Sequence, residues 1–572
     1  MKHGLRGAWL IAAGLCAAGA VHAQTASQIA PPPVRRDVPP PSSGELAVPA
    51  APAPATAVPG ADLHVQVRDV VVTGGLDGMR GATDAIVAGL KNRVVTVAEI
   101  YKAAQDVEAA YARSGYILVR VVVPAQDLHD GGDVHLTVVD GFVERIDTSA
   151  LPANLRDPIA RTLAPLARRP GIKLAEIERL VLLAGETPGA AIRTTLARGS
   201  EPGGSVLIVQ STYAAHSLSA DLDNSLGSSL GTYSGGVGVV LNSPWGRGEQ
   251  LYARLNGDPA NGWNGIGGKT PVNRSLDLGA VIPLSRNGLS LSFDALGART
   301  APHHPGSALG LASDFSRIAV GLHYAFVRTH RLSVNGSLSF DADQDKLGAV
   351  QPVQAPISLD RTRVVRSGVD VFAAQGRSNW NASVTASFGL AGLGARTRAD
   401  ATPDLPLSRQ GADARFTKLE ADVGYLATLN RHAQFSLHLR GQTAFNTPLL
   451  TSEQAGLAGP GGLSAFDAGL LQGDTTLLAR AELSSPAAFM WRGPGLMASP
   501  YLFVAAGKAT TVDPTALEAG HVTASSYGLG VRLALNHPQT GGSVLSLEWA
   551  GGHRDDVRGQ KSHLGVALSS RF

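Results

Sequence analysis

The second half of the chain alternates apolar and polar residues with a period of two. In Leu332–Phe340 the apolar side chains fall on one side and Ser or Asn on the other, and Leu289–Phe293, Phe435–Leu439 and Leu545–Trp549 repeat the pattern. Strands with one lipid face and one wet face produce this alternation, although a soluble sandwich or propeller shows it too. The pattern predicts a mainly β fold, and we interpret 212–572 as a transmembrane antiparallel β-barrel of about 16 strands.

The last strand strengthens the barrel interpretation. Leu564, Val566, Leu568 and Ser570 alternate with other residues up to the terminal Phe572. A chain that ends on an aromatic residue within its final strand is typical of outer-membrane barrels. We therefore interpret Phe572 as the terminal barrel signal, on which membrane insertion depends.

Two small α/β units precede the barrel. The first shows strand patterns at 65–72, 117–123 and 133–140 and helical spacing at 81–90 and 96–114. The second shows helical spacing near 155–167 and 174–184 and strand patterns near 190–197 and 206–210. We predict one domain at 63–146 and another at 147–211, each large enough for a modest core.

The start of the chain predicts export. Lys2 and Arg6 precede an apolar run at 8–20, and small residues lead to Ala23, which together indicate a cleavable signal peptide at 1–23. The sole cysteine, Cys16, lies in that run, so the mature chain can form no disulfide. Residues 24–62 are rich in Pro and Ala, which is typical of an extended linker.

Composition and motifs exclude several function classes. The net charge of +3 is small for 572 residues, and its charges are interspersed, so no nucleic-acid partner is indicated. No window after the signal peptide is long and apolar enough for a helical span. Nucleophile, phosphate-binding and metal motifs are missing, and His303-His304, between two prolines, reads as a solvated loop. We expect no enzyme activity, cofactor or metal.

The first α/β unit carries a motif with a known counterpart. Its members are turn residues and strand-end residues: Gly115, Tyr116, Pro124, Gln126, Gly131, Asp140 and Gly141. The run from 115 to 144 resembles the end of the first POTRA domain in two-partner secretion transporters of the TpsB class, the haemolysin and filamentous-adhesin exporters. The two α/β units are thereby interpreted as POTRA 1 and POTRA 2.

Later segments are similar to the same family and follow its order. Pro188 and Gly189 match the second POTRA domain, and Asp223 and Asn224 match the first barrel strand. The resemblance covers nearly all of 65–572. We regard the chain as a divergent member of this family within the POTRA-barrel superfamily.

Two departures concern the barrel lumen. The family usually carries an Arg in a Val-Arg-Gly-aromatic motif on a loop folded into the lumen, and a facing Asp in a Phe-x-Asp-x-Gly strand motif. The matching lumenal-loop residues here are Ser464, Ala465, Phe466, Gly473 and Asp474, and the facing strand motif is Phe503, Ala505 and Gly507. Both halves of the ion pair are therefore absent, which avoids a stranded charge. Phe466 is then expected to hold the loop tip against Ala505 by neutral packing.

The resemblance implies an outer-membrane transporter with periplasmic POTRA domains. Such a protein recognises an unfolded exoprotein, plausibly by strand addition, and secretes it through its barrel, a type V process. Implied partners are a haemolysin- or adhesin-like β-helical exoprotein, outer-membrane lipids and lipopolysaccharide, and the barrel assembly machinery during biogenesis. Two alternatives stay open: an assembly factor that inserts other barrels, and a surface adhesin or receptor whose barrel is a passive anchor.

Overall fold

The computed structural model describes residues 25–31, 44–47, 60–262, 267–268, 271–302, 310–486, 489–490, 495–516, 518–537 and 541–572. The predicted signal peptide, most of the Pro-rich linker and His303-His304 lie outside these residues. Within the described ranges, no helix is long and apolar enough to cross a membrane.

The first α/β unit is a four-stranded sheet covered by two helices. In chain order its elements are β2 (His64–Gly74), α2 (Arg80–Val87), β3 (Arg93–Thr96), α3 (Val97–Arg113), β4 (Arg120–Val122) and β5 (Gly132–Val139). The sheet order is β3-β2-β5-β4, with β2 and β5 parallel. Helix α3 begins at Thr96, whose hydroxyl accepts from the Glu99 N–H at 3.2 Å while the Glu99 carboxylate accepts from the Thr96 N–H. Its apolar face, including Ile100 and Val107, packs on Leu136 of β5.

The second unit has the same construction and recruits a strand from the linker. Its elements are β6 (Phe142–Asp147), α4 (Ala153–Leu163), α5 (Leu174–Gly185), β7 (Ala190–Arg198) and β8 (Gly204–Tyr213). The linker strand is β1 (Gly44–Ala47), and the sheet order is β1-β7-β8-β6. Strand β6 lies in this sheet because it pairs in parallel with β8. Most of 142–146, which the sequence assigned to the first domain, therefore pairs within the second sheet.

Apart from one short pair described below, the remaining strands of the described residues close into one antiparallel barrel of 16 strands. They are β9 (His216–Asp223), β10 (Ser234–Asn242), β11 (Gln250–Gly257), β12 (Asn273–Pro283), β13 (Leu289–Thr300), β14 (Gly310–Arg328), β15 (Leu332–Gln351), β16 (Ala355–Gln375), β17 (Ser378–Gly389), β18 (Thr417–Asn430), β19 (Ala433–Thr443), β22 (Thr475–Ser484) with its extension β23 (Phe489–Met490), β24 (Leu496–Thr510), β25 (His521–His537), β26 (Gly541–Arg554) and β27 (Gln560–Arg571). The predicted fold class is confirmed.

Side-chain alternation separates the two faces of the barrel. On β22, Leu477 and Leu483 face outward and are exposed, whereas Leu478 and Arg480 face inward and are buried. An apolar outer face and a charged interior are what a lipid-embedded barrel with a polar lumen requires. The barrel therefore explains the period-two pattern of the sequence.

Among the described residues, two segments that are not part of the barrel wall lie in the lumen. The segment between β19 and β22 folds inward and pairs with itself through β20 (Ala455–Gly456) and β21 (Gln472–Gly473). We call residues 451–474 the lumenal loop. The short helix α1 (Ala26–Ile29) also lies inside, since the Ala26 N–H donates to Ser313 of the inner wall at 3.0 Å.

Candidate functional site

The POTRA 1 signature residues shape the turns around β5. The Gln126 amide donates to the His135 carbonyl at 2.9 Å and accepts from the His135 N–H at 2.8 Å, so this side chain pairs with β5 like a short strand. A Cβ at Gly141 would lie 2.0 Å from the Leu118 carbonyl oxygen, so only glycine fits there. Tyr116 packs edge-on against Tyr111 of α3 at 6.2 Å. Gly141 directly precedes β6 and so lies at the junction of the two units, whereas Gln126 pairs with the middle of β5.

The remaining signature residues lie after the end of α3, before the start of β5 and directly after its end. Gly115 and Gly131 both have positive φ values, and Pro124 precedes Gln126 in the connection between β4 and β5. The Asp140 carboxylate accepts from the Gly171 N–H at 3.3 Å, which joins the end of POTRA 1 to POTRA 2.

Glu144 ties β6 to the turn before β8. Its carboxylate accepts from the Ser200 hydroxyl, the Ser200 N–H at 2.7 Å and the Glu201 N–H at 3.0 Å. These bonds, the Ser200 hydroxyl first, hold the pKa of Glu144 below its ordinary value. The charged carboxylate therefore fixes the loop that precedes β8.

POTRA 2 is docked against the short turns of the barrel. Arg179 of α5 donates to the Ala325 carbonyl at 2.6 Å, and Glu186 forms a buried ion pair with Arg328 at the end of β14. Gly189, which follows Pro188, has positive φ and accepts from the Ala214 N–H at 2.9 Å just before β9. POTRA 2 is therefore positioned at the barrel mouth that carries the short turns.

Buried ions hold the base of the lumenal loop. Glu453 pairs with Arg366 of β16 at 2.8 Å and with Lys418 of β18 at 3.0 Å. At the other end of the loop, next to Gly473, Asp474 accepts from Arg409 at 2.8 Å and from the Val512 N–H at 2.7 Å. Charge-assisted bonds of this kind fix both ends of the loop.

The loop tip packs in an apolar cluster on the wall. Phe466 and Ala465 are buried together with Phe503 and Ala505 of β24. A Cβ at Gly507 would lie 3.1 Å from a Leu457 methyl group, which brings the wall close to the loop. Of the predicted residues, Ala465 and Phe466 of the loop share this cluster with Phe503 and Ala505, whereas Gly473 and Asp474 lie at the base of the loop. No ionised pair joins the tip to β24 among these contacts.

Helix α1 contacts both the wall and the lumenal loop. The Ser27 hydroxyl donates to Asp345 of β15 at 2.5 Å, and Gln28 donates to Gln472 of the loop at 2.8 Å. Arg317 donates to the Pro31 carbonyl at 3.1 Å and pairs with Asp294. A seven-residue segment is too short to form a helix alone, so these contacts with the barrel stabilise it.

The barrel closes where its first and last strands meet. Strands β9 and β27 share five paired positions, from Ala567 with Asp223 to Arg571 with Ser219. Beyond them Asn224 extends the seam, since its amide accepts from the Val566 N–H at 2.7 Å and donates to the Leu564 carbonyl at 2.8 Å. Asp223 accepts from the Ser225 N–H at 2.9 Å. At the other end the backbone of Phe572 exchanges two hydrogen bonds with Leu218.

Sequence matches agree with this architecture. The model of the family described as haemolysin secretion/activation protein ShlB/FhaC/HecB matches residues 203–533, more than half of the chain. The chain belongs to this family. The model of the ShlB-type POTRA domain matches residues 65–141, so the ShlB/FhaC/HecB match and a POTRA match together span both parts of the molecule.

Individual relatives extend over most of the chain. The outer membrane transporter CdiB of Dickeya dadantii (strain 3937) is 24% identical over 503 residues, covering 86% of this chain and 78% of that protein. The solved structure of CdiB from Escherichia coli has a TM-score of 0.68 at 16% identity and covers 91% of this chain and 93% of that one. CdiB from Acinetobacter baumannii has a TM-score of 0.59 at 16% identity, with 89% and 90% covered. These two structures show the shared fold.

The family assignment fixes the function and the location. As a ShlB/FhaC/HecB-type protein, the chain is a two-partner secretion transporter of the outer membrane, with periplasmic POTRA domains and a secreted exoprotein as partner. The assignment favours secretion over the two alternatives, the assembly factor and the passive anchor.

The charged residues of the lumen were not identified from the sequence. No lumenal role was predicted from the sequence for Arg366, Lys418, Glu453, Arg480 or Glu548. The sequence does contain a signal that could have identified the four residues on strands. Each one occupies a polar position of an alternating strand: Arg366, Lys418, Arg480 and Glu548. A charge at such a position faces the lumen, where it needs a partner.

Proposed function

We propose that this transporter captures its exoprotein by strand addition at β7 of POTRA 2, and that β1 covers this edge until the exoprotein replaces it. Support comes from the pairing of β1 with β7, in which Gly44 to Ala47 lie in parallel register with Ile192 to Thr195. The β7 edge thus accepts a strand from outside its own domain. Backbone pairing makes little demand on side chains, which suits an unfolded substrate.

The position of POTRA 2 supports delivery into the barrel. The same domain that offers β7 is held at the barrel mouth by Arg179 and by the Glu186–Arg328 pair. A chain released from β7 would therefore start close to the lumen. For passage, α1 and the lumenal loop must leave the space they fill, and both are held there by hydrogen bonds and ion pairs, not by a continuous strand ladder.

We propose a long β-rich, haemolysin- or adhesin-like exoprotein as the partner, in keeping with the family. Since the sequence carries no nucleotide-binding motif, the driving force is assigned to folding of the exoprotein outside the cell, which yields about 5–15 kcal/mol per domain. We also propose that lipids and lipopolysaccharide contact the apolar outer face. We propose that the barrel assembly machinery recognises the terminal strand during biogenesis.

A reversible cross-link between β1 and β7 tests the capture site. Ala47 and Thr195 are direct register partners, and directly paired positions lie within the distance a disulfide can span. We expect the oxidised Ala47→Cys/Thr195→Cys double variant to lose secretion and to regain it with reductant, while each single variant secretes normally. The measurement is exoprotein in the medium, with heat-modifiability as the control for barrel folding. Normal secretion by the oxidised double variant would contradict capture at β7.

A further inference from the structure

The wall opposite the loop tip carries polar groups from four strands. Arg480 of β22, Tyr501 of β24, Ser526 of β25 and Glu548 of β26 all face the lumen at this level. A cavity of about 400 Å³ lies beside them and is also lined by Ser464. The tip of the lumenal loop therefore meets a polar wall, and the apolar cluster is only part of its contact.

Arg480 is fixed on the wall without help from the loop. Its guanidinium donates to Glu548 at 2.7 Å, and the Tyr501 hydroxyl donates to the same carboxylate oxygen at 2.8 Å. The guanidinium carbon lies 3.7 Å from the centre of the Phe503 ring, a cation–π contact. The Arg480 side chain is only 7% exposed and that of Glu548 14%. Arg480 is thus buried, and its orientation is set by Glu548 and the Phe503 ring of the barrel wall.

The donors that remain on Arg480 point into the loop. Its second terminal nitrogen donates to the Ser464 hydroxyl at 2.6 Å and to the Gly462 carbonyl at 3.2 Å. A separate bond from the Ala465 N–H to Ser526, at 3.2 Å, holds the next residue of the tip. Bonds from a buried charged donor are stronger than neutral ones, so the two from Arg480 form the main polar hold on the tip.

We propose that Arg480 is the positioning residue of the lumenal loop. The ion pair of the resembling transporters places the Arg on the loop and the acid on the wall. Here the cation belongs to the wall, and the loop offers only the neutral acceptors Ser464 and Gly462. Ala505, at the position of the missing Asp, is the direct cross-strand partner of Arg480. The charged residue of the wall is therefore a cation on β22, where the resembling transporters have an acid at the position of Ala505 on β24.

This arrangement changes what loop release costs. When the tip leaves, Arg480 keeps Glu548 and the Phe503 ring, and its acceptors on the loop, Ser464 and Gly462, carry no charge. Movement of the tip alone therefore breaks hydrogen bonds but separates no ion pair of Arg480, the more costly event. The ion pairs of Glu453 and Asp474 at the base of the loop separate only if the whole loop leaves.

A single-thiol reporter can measure the hold on the loop. Ser526 is buried beneath the tip, so a Ser526→Cys thiol reacts with a membrane-impermeant maleimide only when the tip moves away. The parent also carries Cys16→Ser, which removes the sole natural cysteine. Labelling rates are compared in the purified full-length protein, on the fraction that shows normal heat-modifiability.

We expect Arg480→Met to raise the labelling rate about tenfold or more, because two bonds to a charged donor are lost. Arg480→Lys should be intermediate, since it keeps the charge but not the planar fork. Ser464→Ala, which leaves the wall intact, should give an increase of about threefold. Ala505→Asp should also raise the rate, because the new carboxylate competes for Arg480 from the adjacent strand.

The matched control is Arg532→Met. Arg532 lies on the same wall, donates to Glu482 and stacks on Tyr501 at 3.9 Å, so its loss should leave the labelling rate as in the parent. Unchanged labelling in Ser464→Ala and Ala505→Asp would overturn the proposal, even if Arg480→Met failed to fold. If Arg532→Met raised the labelling rate as much as Arg480→Met, the proposal would also be overturned, because the wall would then be loosened in general. Because labelling requires no exoprotein, its outcome is independent of whether capture occurs at β7.

Discussion

The POTRA units and the barrel place their apolar side chains in opposite positions. In POTRA 2, Leu155, Ile159 and Leu207 are fully buried between helices and sheet. On the barrel, Leu502 and Val504 face outward and are more than half exposed. The first arrangement buries apolar surface from water within the domain, while the second relies on lipid to cover it.

The difference appears again in what fills the two interiors. The POTRA cores contain mostly aliphatic residues, whereas the barrel interior contains ion pairs such as Arg366 with Asp341 and Glu453. An aliphatic core tolerates small changes gradually, but a buried ion pair fails when one partner is removed. The POTRA units should therefore act as separable modules, and the barrel should depend on its closure and its charges.

The largest effect is expected at the end of the chain. Phe572 closes the barrel through two backbone hydrogen bonds with Leu218, and its side chain is 59% exposed on the outer face. Deleting Phe572, or placing a charged residue there, should leave the protein degraded in the periplasm. Membrane fractionation and heat-modifiability measure this, and normal amounts of folded barrel in the outer membrane would argue against the role of the terminal residue.

Removing POTRA 1 should abolish secretion and spare the barrel. The deletion should span 64–140, because one that reached 145 would also cut β6 of the second sheet. Exoprotein in the medium and heat-modifiability are measured together. Trimming 49–59, which keeps β1, is the control and should be tolerated. Equal secretion by the POTRA 1 deletion would contradict a requirement for POTRA 1.

A buried ion pair should matter more than an exposed one. Arg366→Gln leaves Asp341 and Glu453 short of a partner in the lumen, and we expect about 3 kcal/mol or more of destabilisation. The matched control is Arg254→Gln, whose partner Asp221 lies on another strand of the same barrel, with side chains 46% and 25% exposed. That change should cost about 1 kcal/mol or less. The measurement is the denaturant midpoint of unfolding in detergent for each variant. Equal midpoint shifts in the two variants would contradict the larger contribution of the buried pair.

The smallest effect is expected at the seam. Asn224→Ala removes two hydrogen bonds to β27, which contribute about 1 kcal/mol each. Hydrogen exchange should accelerate within β27 and stay unchanged elsewhere. Asn256→Ala is the control, because the Asn256 amide bonds Ser275 inside the barrel and away from the seam. If exchange in β27 matched the parent protein, Asn224 would have no role in closure.

Much of the architecture was predictable because it follows from periodicity. The helix at Val97–Arg113 was expected at 96–114, and Thr96 with Glu99 marks its start chemically. Period-two alternation and Phe572 led to the barrel of 16 strands. The polar interval Asp341–Val365 lies mostly in β15 and β16. Its acidic residues alternate toward the lumen, which composition alone does not reveal.

The features that escaped prediction depend on distant contacts. Helix α1 is stabilised by Ser313 and Gln472, which are hundreds of positions away in the chain. Arg480 looks like an ordinary charge in an alternating strand until β26 brings Glu548 beside it. Strand β6 belongs to the second sheet because it pairs in parallel with β8. The predicted roles of Phe466 and Ala505 stay predictions, although the structure puts both in one cluster.

This transporter secretes an exoprotein, and we expect that exoprotein to be a single dedicated polypeptide. The most direct measurement compares the surface and medium proteins of host cells with and without the transporter, alongside their outer-membrane barrel proteins. We predict that one large polypeptide disappears from the surface and medium while the other barrels keep their amounts. Loss of many outer-membrane barrels, or no loss from the surface and medium, would contradict the account.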